Sequence, residues 1–513
     1  MFPRRVLAPT AFWLAVVAVS ALLPQIAGYD NSRYDNVAVY WGQNSHGAAD
    51  SSDTADYQKT LSYYCQDDAI DVIPVAFVNT FFGTGGLPVL NLANTCNPTD
   101  NATFPGTNLA NCQSLASDIE YCQSKGKVVT LSLGGAGGSV GFTDDSQATS
   151  FADTIWNLFL GGSSSTRPFG AAVLDGIDLD IEGGSSTGYA AFVNQIRSYA
   201  SDASKPYYIT AAPQCPYPDA SLGGVLNAAN FDAVYVQFYN NVCGLQNYPA
   251  ANDWNFGIWD YWAQNVSPNK NVKIFVGAPA SSTAAGRGYV DIGTLENIAI
   301  TMRKSFPSFG GVMLWDASQA YANNRYDLAI KTALQNAGGT GFTYPACTAP
   351  AYVPGTGYSG GSNVTYQGYI WQAKWYSSST PSANDNGDWS AINACSGSPS
   401  GSTSSTKTST TSTPTTKSST TSTSTTKTSS TITTSSTSTV PTSTPTSSSC
   451  SGVSAWSSSV AYTGGSQVTY NGHLWTAKWW TQGDTPGGSA GVWTDNGSCI
   501  ASKRALNSRF FRL

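Results

Sequence analysis

From residue 36 to about residue 345, short apolar runs rich in β-branched residues alternate with longer stretches whose apolar positions recur at helical spacing. The runs at 37–42, 72–78, 128–133, 173–181, 207–212, 233–238, 273–277 and 311–315 read as strands, and the segments between them as helices. Eight strands with helical connections over about 300 residues predict an α/β TIM (β/α)8 barrel of parallel strands. In that fold, functional groups gather at the carboxyl ends of the strands. The run at 174–182 breaks the apolar rule. As a strand, it sends Ile177, Leu179 and Ile181 to one face and Asp178, Asp180 and Glu182 to the other, about 7 Å between successive carboxylates. Burying three acids in a row is expensive unless they share protons and hydrogen bonds. The row lies among apolar runs and not in a Gly/Asn-rich calcium-binding loop, so it reads as machinery for moving protons. Asp175 has the opposite parity and reads as structural.

From Cys347 onward the pattern changes. Residues 360–376 and 464–480 repeat each other, through Val364-Thr365-Tyr366 and Val468-Thr469-Tyr470, then Trp371 and Trp475, then Ala373-Lys374-Trp375-Tyr376 and Ala477-Lys478-Trp479-Trp480. Each copy later reaches a tryptophan (Trp389, Trp493) and is framed by cysteines, Cys347 with Cys395 and Cys450 with Cys499. Two β modules of about fifty residues follow from this, each too small for a core without a staple, for which one disulfide apiece is the natural choice. Between them lies a stretch almost entirely of Ser and Thr, with scattered Pro and no acids, which cannot form a core. It reads as a disordered, O-glycosylated linker that reaches on the order of 150 Å when extended. The predicted organisation is a signal peptide at 1–27, the barrel at 28–345, the first module at 346–396, the linker at 397–449, the second module at 450–500 and a tail at 501–513.

The start of the chain, with Arg4 and Arg5 ahead of an uncharged apolar stretch that is short for a membrane span, has the form of a secretory signal. The tail lacks the long apolar end of a glycolipid-anchor signal. An exported protein with ten cysteines favours disulfides over metal sites, and Asn-x-Ser/Thr sites at Asn101, Asn265, Asn363 and Asn496 fit the same compartment. Net charge is −6 with only 11% charged residues, which argues against nucleic acid, whereas 12% aromatics suit a neutral polymer. The only histidines are His46 and His473, which excludes a three-histidine zinc site. Hydrolysis would run on carboxylates, with no metal or cofactor.

The acid run matches Asp-x-x-Asp-x-Asp-x-Glu. With it come Val39-Tyr40-Trp41-Gly42-Gln43-Asn44, Ala76-Phe77-Val78-Asn79, Leu131-Ser132-Leu133-Gly134-Gly135, Ala211-Ala212-Pro213-Gln214-Cys215-Pro216, Val236-Gln237-Phe238-Tyr239-Asn240-Asn241 and Gly311-Val312-Met313-Leu314-Trp315, in order across the barrel. On these motifs the chain resembles the class III chitinases of plants and fungi, in glycoside hydrolase family 18. The resemblance implies substrate-assisted retaining hydrolysis, an exception to the scheme with two catalytic carboxylates. Glu182 would be the general acid. Asp180 would hold the substrate's acetamide, with Asp178 behind it sharing a proton, and Tyr239 would bond the acetamide from the other side. Trp315 would floor the sugar, and Tyr40, Gln43, Phe77, Asn91 and Gln237 would line the groove. Cis peptides are expected at Ala76-Phe77 and Trp315-Asp316. Family spacing implies the pairs Cys65–Cys122, Cys96–Cys112 and Cys215–Cys243.

The repeats resemble carbohydrate-binding modules of families 5 and 12, in which Trp375/Tyr376 and Trp479/Trp480 would be exposed for stacking on chitin, while Trp371, Trp389, Trp475 and Trp493 fill the cores. Only about thirty residues separate the seventh and eighth strands, too few for the insertion that deepens the groove in bacterial-type members, so an open groove and endo-cleavage are expected. The expectation is a secreted, monomeric endochitinase, acting extracellularly or in the cell wall, with chitin and chito-oligosaccharides as partners and neither membrane nor nucleic acid. Its rivals are a catalytically silent chitin-binding wall protein on the same scaffold, and lysozyme or endo-N-acetylglucosaminidase activity.

Overall fold

A computed structural model describes residues 28–397 and, in a second compact unit, residues 450, 453–458, 460–462, 466–477, 481–482, 484–488 and 492–499. The segments read above as signal peptide, linker and tail lie outside the described residues, apart from residue 397, as do Trp479 and Trp480. Among the described residues no helix is long and apolar enough to cross a membrane.

Eight parallel strands close the barrel: β1 (Asn36–Val39), β2 (Val72–Thr80), β3 (Val128–Gly134), β4 (Gly176–Asp180), β5 (Tyr208–Ala211), β6 (Ala233–Gln237), β7 (Lys273–Pro279) and β8 (Phe309–Trp315). Each pairs with its sequence neighbour, and β8 returns to β1 with Val39 opposite Leu314. All eight predicted runs are strands. A two-residue strand, Val89–Leu90, turns back antiparallel on β2 and was not anticipated. Alternation divides the core as the sequence implies. Ile177, Leu179 and Ile181 face outward and pack with Ile155 and Phe192 of the surrounding helices, whereas Tyr40, Tyr235, Phe275 and Met313 fill the interior. The helix Asp145–Phe159 shows why the outer layer forms: Ala148, Phe151, Ala152, Ile155, Leu158 and Phe159 make its buried stripe, and the Asp144 carboxylate caps it by accepting from Gln147 N–H. At the foot of the barrel, Asp175 accepts from Val129 N–H and pairs with Lys205, a structural role.

The first module is a three-stranded antiparallel sheet of β9 (Asn363–Tyr366), β10 (Tyr369–Ala373) and β11 (Trp389–Ala394), stapled by Cys347–Cys395. Its hairpin turns at Gln367-Gly368, both with positive φ, the twist that suits two-residue hairpin loops; Asn471-Gly472 does the same in the second unit. The module does not stand alone. It packs on the barrel helix Phe256–Asn265, which is apolar almost all round. A Cβ on Gly257 would lie 1.9 Å from the Ala391 carbonyl oxygen, so only glycine permits this approach. Trp371 is fully buried in the core shared with the barrel helices, its ring centroid 5.7 Å from that of Tyr261. The Tyr369 hydroxyl donates to Asp260, which also accepts from Ser308 N–H.

Burial raises the Asp260 pKa to about 6, against the hydrogen bonds from Ser308 and Tyr369 and the charge of Lys273. Between its ordinary 3.8 and about 6 the unfolded chain ionises this group while the folded chain resists, so stability falls as pH rises through that window. The contribution amounts to about 3 kcal/mol. Asp260→Asn is expected to flatten that part of the pH dependence of unfolding, measured by denaturant titration at several pH values. An unchanged slope would show that Asp260 does not govern it.

In the second unit Gln467–Tyr470, His473–Ala477 and Trp493–Ser498 form the equivalent sheet, with Tyr462, Val468 and Trp493 at its core and Trp475 partly buried against them; Cys450–Cys499 closes it.

Candidate active site

The site is built at the carboxyl ends of the strands. Registers place Ser132, Asp178 and Thr210 side by side on β3, β4 and β5, all facing inward. The Asp178 carboxylate accepts from Ser132 Oγ, Thr210 Oγ1 and Tyr40 Oη, each at 2.7 Å. Burial nonetheless raises its pKa. One turn of alternation onward, Asp180 ends β4 and accepts from Gln237 Nε2 at 2.8 Å; that nitrogen also donates to the Ala212 carbonyl. Glu182 lies two residues past the strand, half-buried at the mouth.

Asp180 is held well above the carboxylate range by burial and by the charges of Glu182 and Asp178. Burial raises Glu182, and Asp219 adds to it. Neighbouring buried acids of this kind cannot all ionise, so the row retains a proton at pH values where an exposed acid would have lost it.

Above the row is an open cavity of about 350 Å³, walled by Asp180, Glu182, Gln237 and Tyr239 and by the aromatic faces of Phe77 and Trp315. Those two rings stack, centroids 5.9 Å apart and planes 18° from parallel. The peptides Ala76-Phe77 and Trp315-Asp316 are both cis. Gly134 carries φ +118°, and a Cβ there would fall 2.1 Å from the Asp180 carbonyl oxygen, so glycine keeps this wall thin. Among the described residues nothing accepts from the Tyr239 hydroxyl, which borders the cavity.

The sequence matches the description "Glycosyl hydrolases family 18" over residues 36–291 and "Carbohydrate-binding module family 5/12" over residues 455–494. A class III chitinase of Arthroderma benhamiae is 42% identical over 319 residues, 60% of this chain and 88% of that protein. The chain belongs to glycosyl hydrolase family 18. Chitinase 1 of Rhizopus niveus is 50% identical over 313 residues, 61% of this chain; the chain spans about 60% of that relative's length. A crystal structure of a chitinase from Ipomoea carnea is 34% identical, with 58% of this chain and 99% of that one covered and a TM-score of 0.48.

Within the family 18 barrel the predicted groove residues divide. Gln43, Phe77, Gln237, Tyr239 and Trp315 reach the cavity wall. Tyr40 lies beneath it, 1% exposed, with its hydroxyl on Asp178. Asn91 is not on this wall. Its carboxamide oxygen closes a turn on Ala93 N–H, and its backbone carbonyl accepts from Gln43 Nε2. Gln43 thus ties three carbonyls, those of Gly42, Ala76 and Asn91. Sequence reasoning gave no role to Ser132, Thr210, Asn79, Asn240 or Asp219. Strand parity turns the first two inward but does not bring them beside Asp178, which only the registers show; Asn79 and Asn240 line the cavity from within the motifs at 76–79 and 236–241. The barrel cysteines pair as Cys65–Cys122, Cys96–Cys112 and Cys215–Cys243. In the first module Trp375 is 47% and Tyr376 70% exposed, with Trp375 Nε1 donating to Asp388 at 2.7 Å.

Proposed function

We propose that this protein is a secreted endochitinase that cleaves internal β-1,4 N-acetylglucosamine linkages with retention. The observation that carries the reading is the row Asp178, Asp180, Glu182 under a cavity floored by Trp315 and bordered by Tyr239. Glu182, protonated, gives its proton to the glycosidic oxygen as the bond from that oxygen to C1 breaks. The carbonyl oxygen of the same sugar's acetamide attacks C1 and closes an oxazolinium ion. Asp180 accepts from the acetamide N–H and offsets the developing positive charge, while Tyr239 bonds the acetamide from the opposite side. Asp178 shares the proton of the pair. Glu182, now a carboxylate, takes a proton from water as that water opens the oxazolinium ring at C1. Trp315 offers its face to the sugar ring.

Because Glu182 must be protonated, its raised pKa predicts that kcat/KM on a soluble chito-oligosaccharide falls only above the ordinary glutamic value of 4.5. A basic limb at or below that value would count against Glu182 as the acid. The reading itself is tested by early products from colloidal chitin and the anomer first released. A mixture of oligosaccharides in the β configuration supports it, whereas a single disaccharide from the outset contradicts endo-cleavage and an α product contradicts retention.

The connection between β7 and β8 holds one helix, Ile292–Ser305, which supports an open groove. Disulfides at all ten cysteines suit an oxidising compartment outside the cell. The domain organisation is proposed as read from the sequence: signal peptide, barrel, first module, glycosylated linker and second module. Trp375 and Tyr376 would bind polymer faces. In a chain ending at residue 397, replacing both by Ala is expected to weaken adsorption to insoluble chitin about tenfold, read from binding isotherms. Unchanged adsorption would remove this pair from the binding surface.

A further inference from the structure

We propose that the first module is part of the catalytic unit: through Asp385 it positions the active-site loop 213–219, and Asp385 is therefore a positioning residue for hydrolysis. The inference rests on the proposed function and adds to it.

The loop follows β5, whose Thr210 bonds Asp178. Its start is tied to the site, since Pro213 carbonyl accepts from Gln237 N–H and Ala212 carbonyl from Gln237 Nε2, the nitrogen that also holds Asp180. Its end, Asp219, accepts from the backbone of Gln214, Ser221 and Leu222, and its charge acts on Asp180 and Glu182. Between these points the loop is held from outside by the module. The Asp385 carboxylate accepts from Tyr217 N–H at 2.8 Å and from Asn255 Nδ2 at 2.7 Å, and the same Asn255 nitrogen donates to the Cys215 carbonyl. Lys374 of the module anchors the Asp385 carbonyl in turn.

The second repeat shows that this contact is no general property of the module. Aligned on Trp389 and Trp493, with equal spacing from the glycine pair to the last cysteine, the repeats place Ser489 at the position of Asp385 and His473 at that of Tyr369. Tyr369 and Asp385, whose side chains bond the barrel, have no counterpart of the same type in the second repeat. A module serving solely to adsorb polymer has no use for a buried carboxylate on the back of an active-site loop, whereas a small displacement of groups around reacting atoms costs catalysis heavily.

The test compares the full chain with Asp385→Ala and Asp385→Asn. The readouts are kcat, KM and the pH profile on a soluble N-acetylglucosamine tetramer, and amide hydrogen exchange at 213–222. Asp385→Ala is expected to lower kcat about tenfold or more with little change in KM. Its basic limb is expected to move to lower pH as Asp219 drifts from Glu182, and exchange at 213–222 to accelerate. Asp385→Asn, which keeps one acceptor and nearly the same volume, is expected to fall between wild type and Asp385→Ala. Should Asp385→Ala fail to fold, Asp385→Asn decides alone. Folded variants with wild-type kcat, pH profile and loop exchange would overturn the proposal. An inert wild type would sink the proposed activity instead, and loop exchange would still decide whether Asp385 holds 213–219.

Discussion

Glu182→Gln is expected to lower turnover of chito-oligosaccharides about a thousandfold while adsorption to chitin stays at the wild-type level. The substitution is nearly isosteric and keeps the hydrogen bonds to Asp178 and Asp180, while it removes the Glu182 charge that helps raise Asp180. What it removes is the proton that, in the proposed mechanism, goes to the leaving oxygen and is taken back from water. Burial and Asp219 both raise Glu182, which keeps that proton in place where an exposed glutamic acid would have ionised. Initial rates of reducing-sugar release on a soluble oligomer, beside binding isotherms on insoluble polymer, separate the two effects. A variant that retains a tenth of the rate would move the general acid elsewhere in the row. A variant that loses adsorption as well would indicate a folding defect instead of lost chemistry.

Trp371→Ala is expected to destabilise the first unit by about 3–5 kcal/mol. The indole is fully buried, donates to the Tyr366 carbonyl at 3.0 Å and packs on Tyr261 of the barrel helix. Truncation would leave a cavity bounded by both the module and the barrel, so the loss should appear in the unfolding of both together. Chemical denaturation followed by tryptophan fluorescence and by activity checks this. Coincident transitions shifted to lower denaturant are expected, whereas a shift in fluorescence alone, with activity lost at the wild-type midpoint, would mean that the module melts independently.

The barrel and its acid row were legible because both rest on strand parity. Once Ile177, Leu179 and Ile181 are set outward, the three carboxylates can only point inward. Parity does not reveal which strands lie side by side at a given height, so it is silent on the hydroxyls of Ser132 and Thr210 beneath Asp178, and Tyr40, expected on the groove wall, holds Asp178 from below. What the sequence showed least concerns the first module. It follows the barrel closely in sequence, but nothing local in a repeated, cysteine-framed unit names the surface it packs on. The signal lay in the barrel, in the helix Phe256–Asn265, where Phe256, Ile258, Trp259, Trp262 and Ala263 leave little polar face and Asp260 sits buried among them. A helix apolar all round must be covered on every side. The two repeats also differ where docking occurs, with Tyr369 and Asp385 in one and His473 and Ser489 in the other.

The close seat of Ala391 on Gly257 therefore bears on where this protein can be divided. A fragment stopped at residue 345, the boundary suggested by the end of the strand–helix alternation, would lay bare Gly257, Tyr261 and the Asp260 carboxyl, which would keep Ser308 but lose Tyr369, on a largely apolar surface. Such a face invites self-association. The smallest autonomous piece of the enzyme runs to about residue 397, and grafting the second repeat in place of the first would set a histidine and a serine against a surface shaped for a tyrosine and an acid.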